Sequence, residues 1–396
     1  MVDAARGRRT WLVGAAAFAS CLAAVAVARA ATHVYHDDSV WANALSSLGG
    51  VGEPYDFAIF LDAGNDVLAG RNPYVSSGSI GPIQSPYAYP PVLALAVAPL
   101  AALPERALHD TFVPGVLFSL VLVAATVGSL LLLGVSDWRC YPLALVSPLV
   151  AEPVEYGALG PILLLLVALA WRFRDRAGVA GAALGGAAVL KLFLAPLLLW
   201  LVFTRRLRAA LLGVVVAVAL ALGSWATIAF RGLHGYPHLL RSLTDVEADN
   251  SYSAFAVLRA LDVPKPAAQT LVILAGVALL ALTARVARSP GLDPLERDRR
   301  SLILALAAAL VLTPILWLHY LVLLLLPIGL ARPRLSPLWL VPVAFAVFEW
   351  LNWYRGWPRG DGKALASVAV LVALTFAASL RRGTGSVGRE VAPVGA

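Results

Sequence analysis

Long apolar runs constrain this chain more than any other feature. They are about 14 to 24 residues long, and crossing a hydrocarbon core takes about 20. The runs at 112–134, 209–230 and 267–284 are continuous and rich in Leu, Ala and Val. A transmembrane barrel would show short alternating segments instead, so the spans are helical. Across 396 residues 60% are apolar and 14% are charged, whereas a soluble chain carries about a quarter charged. These proportions exclude disorder and a single soluble domain as descriptions of the whole. The fold class expected is an all-α polytopic membrane protein.

The net charge is +8, from 31 basic and 23 acidic residues. The basic residues form short clusters between apolar runs: Arg172, Arg174 and Arg176; Arg205, Arg206 and Arg208; 285–300; Arg381 and Arg382. That is the positive-inside pattern, so these clusters read as cytoplasmic and no nucleic-acid partner is expected. Of two cysteines, Cys21 lies in an apolar run, which argues against a disulfide framework.

Arg6, Arg8 and Arg9 precede a run from Trp11 to Ala31. This has the form of a retained start-transfer helix with a cytoplasmic N-terminus. Ala28-Arg29-Ala30 also resembles a cleavage site, so a removed signal peptide is the competing reading. Residues 32–88 follow as a polar stretch with Asp37, Asp38, Glu53, Asp56, Asp62 and Asp66 against one basic residue, Arg71. The asymmetry places this loop outside the cell. Within it, Asp56 to Gly70 reads as an amphipathic interfacial helix. Phe57, Phe60, Leu61, Val67 and Leu68 share one face; Asp62, Asn65 and Asp66 share the other. Gly70 and Pro73 stop it.

Two apolar stretches are interrupted. Residues 177–203 have basic flanks on both sides and too few residues for two full spans, so half-helices meeting near Lys191 are expected. Residues 302–330 break at Thr313-Pro314. Such breaks are tolerated inside a bundle or along a cavity. The total expected is 10 to 13 membrane segments, with the number of crossings between 104 and 157 left open. Residues 1–383 read as one integral membrane domain and 384–396 as a cytoplasmic, disordered tail. No internal repeat of the transporter kind is evident.

Ionisable groups at membrane depth are costly and mark candidate sites. Lys191 is either a snorkelling or paired lysine or a cation aimed at a lipid phosphate. His319 is either a bonded core histidine or part of a site. Asp56 is either a helix N-cap or a general base at the membrane surface. His234 and His238 are separated by Pro237, which makes a helical metal pair doubtful, and His319 has no ligand partner four residues on. No Walker-type glycine loop is present, which argues against a nucleotide-driven pump.

Several strings together resemble glycosyltransferase family 87. They are Asp56-Phe57-Ala58-Ile59-Phe60 through Leu68-Ala69-Gly70-Arg71-Asn72-Pro73-Tyr74, and Tyr87-Ala88-Tyr89-Pro90-Pro91 with its run to Leu103-Pro104. The glycine-rich segment from Ala177-Gly178 through Gly185 to Lys191 follows. Asn250-Ser251 with Arg259, and Thr313-Pro314 to Trp317 with His319-Tyr320, complete the set. The chain departs from the family's Gly-Gln-x-Asn string at Gly157-Ala158-Leu159-Gly160.

The resemblance implies a GT-C fold and a membrane enzyme using a polyprenyl-phosphate sugar, most simply a mannosyltransferase. The acceptor is a glycolipid or polysaccharide, and the site is extracytoplasmic in the plasma membrane. It implies Asp56 as the catalytic base; Lys191, His319 and Arg259 as phosphate ligands; and Tyr89, Trp317 and Asn250 as substrate-binding residues, with interfacial anchoring the alternative for Tyr89 and Trp317. No cofactor is required. Some GT-C relatives use a divalent metal, but paired carboxylates are not evident near Asp56. Arabinofuranosyl transfer on the same fold, or a lipid or polysaccharide transporter, are the alternatives.

Overall fold

A computed structural model describes residue 14 and residues 55–74, 86–103, 106–107, 111–350 and 362–381. The N-terminal apolar run apart from residue 14, the acidic residues before Tyr55 and the tail 384–396 lie outside the described residues. The described chain is helical apart from one short antiparallel pair, β1 (Arg106–Ala107) and β2 (Thr111–Phe112).

In chain order the helices are α1 (Tyr55–Leu68), α2 (Pro91–Ala101), α3 (Val113–Leu132), α4 (Cys140–Leu145), α5 (Pro148–Tyr156), α6 (Gly160–Arg172) and α7 (Ala177–Leu190). They continue with α8 (Pro196–Phe203), α9 (Leu207–Thr227), α10 (Tyr236–Glu247), α11 (Ala254–Ala260), α12 (Lys265–Ala287) and α13 (Pro294–Leu312). The last are α14 (Leu325–Ala331), α15 (Val341–Trp350) and α16 (Gly362–Leu380).

Among the described residues, α3, α9 and α12 are long and apolar enough to cross a membrane, and α5 with α6 adds a pair bent by 119°. The remaining apolar helices are shorter. Among the described residues, prolines, glycines and two breaks divide several of the apolar runs into shorter helices. The bend between α5 and α6 has local causes: Gly157 ends α5 at φ 65°, a left-handed conformation that favours glycine, and Pro161 stands in the first turn of α6. Leu211, Val215, Val218, Ile273, Leu274 and Val277 are exposed on α9 and α12. A shell of exposed aliphatics suits lipid, not water.

Close helix packing comes from small residues. On α7, Gly181 and Gly185 lie against Ala209 and Gly213 of α9. Between helices in a membrane, van der Waals contact replaces the hydrophobic effect as the driving force, so backbone approach at such sites matters most. At one end of this packing the basic clusters converge. Asp298 on α13 accepts from Arg174 Nε at 3.2 Å and Arg206 Nη2 at 2.6 Å, and Arg206 also reaches Asp175 at 2.9 Å. Arg299 donates to the Ser379 carbonyl of α16 at 2.8 Å. Lys191 stands at the other end of α7, about 20 Å away for a helix of this length.

The face assignment expected for α1 needs correction. Phe57, Phe60 and Leu61 are buried, but Leu68 is 57% exposed and Asp66 is buried. Asp66 turns inward because Arg71 caps it, Nε to Oδ1 at 2.8 Å. Gly64, on the same helix, faces Ala98 and Ala101 of α2.

Candidate functional site

Two helix breaks and the first turn of α1 meet at one place. The first break is at Lys191, whose extended backbone (φ −144°, ψ 106°) ends α7 before a single 3-10 turn, Leu192–Leu194, and Pro196. The small residues of α7 let it approach its neighbours. Pro196 lacks an N–H, so it can open α8 but cannot continue α7.

The second break runs from Thr313 to Trp317, followed by a 3-10 stretch, Leu318–Leu324. A broken helix frees carbonyls that need donors. Here Tyr252 N–H donates to the Leu316 carbonyl at 2.7 Å, and the Ser251 hydroxyl has the Ser253 hydroxyl, the Ala248 carbonyl and the Pro314 carbonyl within reach of its one proton, at 2.9, 3.0 and 3.3 Å. Gly160 at the head of α6 lies directly under the His319 carbonyl, where any Cβ would collide with it. That contact gives a physical reason why this chain carries glycine where the family string ends in asparagine.

His319, carried by the second break, brings Nε2 to 3.9 Å from Asp56 Oδ2. That is beyond hydrogen-bond reach, and this buried nitrogen has no hydrogen-bond partner in the described structure. Asp56 lies in the first turn of α1, inside the helix and not at its N-cap, with its side chain 18% exposed. Burial pushes its carboxyl up to about 6, and the Lys191 ammonium nearby pulls it back down. Lys191 Nζ lies 4.1 Å from the centre of the Tyr89 ring and 4.9 Å from that of Tyr320. Both separations fit cation–π attraction. Leu192, beside Lys191, is 74% exposed, so the cluster borders a surface that suits an apolar chain.

The structure therefore brings together Asp56, Lys191, His319 and Tyr89. It does not bring Arg259 to them. Arg259 pairs with Asp249 at 3.4 Å and donates to the Val263 carbonyl at 2.9 Å, which commits it to the turn beyond α11. Asn250 ends the 3-10 turn Ala248–Asn250, next to the Ser251–Tyr252 segment that braces the second break. Trp317 packs against the main core two residues before His319.

Sequence reading passed over three features. Tyr320 follows His319 in the sequence, but its ring partnership with Lys191 depends on a contact between distant segments. Tyr87 fixes the turn into α2 by donating to the Pro90 carbonyl at 2.8 Å and accepting from Ala94 N–H at 3.0 Å. Glu152 and Glu155 lie on α5, which packs beside the His319 stretch; two acids in an otherwise apolar segment were the available signal. No group of three or more His, Cys, Asp or Glu side chains that could hold a metal occurs among the described residues.

These features describe a polytopic membrane protein in which a carboxylate, a histidine and an ammonium gather where two helices break. The sequence model of glycosyltransferase family 87 matches residues 87–314, more than half of the chain. The chain belongs to glycosyltransferase family 87 and is a membrane glycosyltransferase. No curated protein and no solved structure matches it.

Proposed function

We propose that the enzyme moves a sugar, most simply mannose, from a polyprenyl-phosphate donor to a lipid-linked or glycan acceptor on the extracytoplasmic side, with inversion. The observation that carries this reading is the meeting of Asp56 with Lys191 and His319. A carboxylate that is ionised above about pH 6 is suited to take a proton from a hydroxyl. An adjacent cation and an unpartnered imidazole nitrogen are suited to an anionic phosphate.

In the reaction, the acceptor hydroxyl oxygen forms a bond to the anomeric carbon as the carbon–oxygen bond to phosphate breaks. The bonding pair leaves with the phosphate, which gains negative charge. The hydroxyl proton passes to Asp56. Displacement from the face opposite the phosphate inverts the anomeric centre, as in inverting hydrolysis with water as nucleophile. Lys191 and His319 stabilise the charge growing on the leaving group, so no protonated acid is needed there. The exposed Leu192 suits the mouth through which a prenyl chain reaches lipid. The energy lies in the sugar–phosphate bond, and no nucleotide site is called for.

The test supplies purified protein with polyprenyl-phosphate-mannose and a glycolipid acceptor, and compares the parent with Asp56→Asn. Transfer by the parent and its loss in the variant is the result expected. Equal rates would remove Asp56 as base. The corresponding polyprenyl-phosphate arabinofuranose in a parallel reaction separates the two sugar readings.

A further inference from the structure

Beside Lys191 a hydrogen-bond count does not close. The hydroxyls of Tyr89 and Tyr320 are 3.2 Å apart and either can donate to the other. Both residues are buried, at 8% and 2% exposure. The pair owns two O–H protons, and the bond between them uses one. No other protein acceptor for either hydroxyl occurs among the described residues. One buried O–H donor is therefore left over, and buried donors without acceptors are rare in folded proteins. The separation is also long for a hydroxyl pair, whose usual distance is about 2.7–2.8 Å, so an outside acceptor can compete. The same two rings hold the Lys191 ammonium. An acceptor arriving beside that cation is best anionic.

We propose that Tyr89 and Tyr320 form a shared donor site whose one free O–H binds a phosphoryl oxygen of the lipid-phosphate substrate alongside Lys191. Tyr320 thereby becomes a phosphate-binding residue, and the tyrosine pair doubles as the cage that holds the lysine. This rests on the polyprenyl-phosphate reading above.

The hydrogen count gives an unusual test. Removing one hydroxyl removes one proton and also the internal bond that consumed one. Tyr320→Phe and Tyr89→Phe each still offer one free O–H, whereas the double variant offers none. Phenylalanine keeps both rings and hence the cation–π cage. Equilibrium binding of polyprenyl phosphate to the full-length protein is measured for the parent, both single variants and the double, with polyprenol and inorganic phosphate as parallel probes.

The expected result is strong non-additivity. The double variant weakens polyprenyl phosphate binding by about 10- to 100-fold, the range for a hydrogen bond to a charged group. The two single losses multiplied together fall well short of that. Polyprenol binding should not change, and inorganic phosphate should follow the lipid phosphate if the headgroup alone is read. A double variant that binds like the parent, or losses that simply multiply, would overturn the proposal. Lys191→Ala separates the levels of failure. If it loses lipid-phosphate binding while the double tyrosine variant does not, the tyrosine site is wrong and the donor reading survives. If the parent itself binds no polyprenyl phosphate, both fall.

Discussion

Four glycines of one helix should respond to the same substitution with different signs. On α7, a Cβ added at Gly181 would lie 2.5 Å from the Ala209 carbonyl oxygen and 3.0 Å from Gly213 N, and one added at Gly185 would collide with the Gly213 carbonyl. Ordinary contact begins at 3.4 Å, so α7 and α9 must part by nearly an ångström. At Gly178 a Cβ meets nothing within 4 Å, and at Gly186 only Leu166 at 4.0 Å. Overpacking costs about 1–3 kcal/mol. In an open helical position Gly→Ala gains up to about 0.5–1 kcal/mol. Gly181→Ala and Gly185→Ala should therefore lower thermal stability in detergent, and Gly178→Ala and Gly186→Ala should hold or raise it. Because Lys191 caps the same helix, the first pair should also weaken donor binding. The assay is unfolding temperature alongside polyprenyl phosphate affinity for all four variants. If Gly185→Ala behaves as Gly178→Ala does, the close approach of α7 and α9 is not what seats Lys191.

Asp56→Asn should keep the fold and lower transfer by about 100- to 10,000-fold, the range for losing a general base, read in a single-turnover assay. The Asp56 carboxyl is raised by burial, so it is protonated, and useless as a base, below about pH 6. Parent activity should fall as pH drops through that value, and a rate flat to pH 4 would contradict the assignment. Lys191→Ala should raise the KM for the lipid-phosphate donor more than that for the acceptor, and equal changes would argue against a phosphate contact. Asp298→Ala removes the carboxylate that Arg174 and Arg206 share and leaves Arg206 only Asp175; it should lower stability by up to about 3 kcal/mol, the low end for breaking a buried pair, measured by thermal unfolding with donor affinity little changed.

The class of fold was legible because lipid makes a simple demand. Every backbone group must be paired within the segment, so apolar runs mean helices. The breaks were legible for the same reason: Lys191 and Thr313-Pro314 are costly inside such runs and so stand out. Legibility failed where side chains choose between partners. Asp66 belongs on the polar face of α1 by spacing, but Arg71 five residues on draws it in. Arg259 suits phosphate by type, but Asp249 and the Val263 carbonyl claim it. The tyrosine pair depends on residues 231 positions apart, a separation that no local pattern encodes.

The two breaks explain why the proposed reactive groups come from such distant parts of the chain. An unbroken helix spends its carbonyls on itself and presents side chains only at its surface. A break inside the bundle turns the chain sideways and allows a polar side chain to sit at depth, provided the freed carbonyls find donors. At the second break that provision is visible: Tyr252 N–H serves the Leu316 carbonyl, and the Ser251 hydroxyl lies within reach of the Pro314 carbonyl. At the first, Lys191 N–H still bonds back to Ala187 at 2.9 Å, and the Lys191 carbonyl takes Leu194 N–H at 3.0 Å, so the chain turns without orphaning either group. The Ser251-Tyr252 step thus has a structural role here. It braces the segment that carries His319, while Gly160 leaves room beneath it. Changes at Ser251 or Gly160 should then act on catalysis through the position of His319, and the separation of His319 from Asp56 is the quantity through which they act.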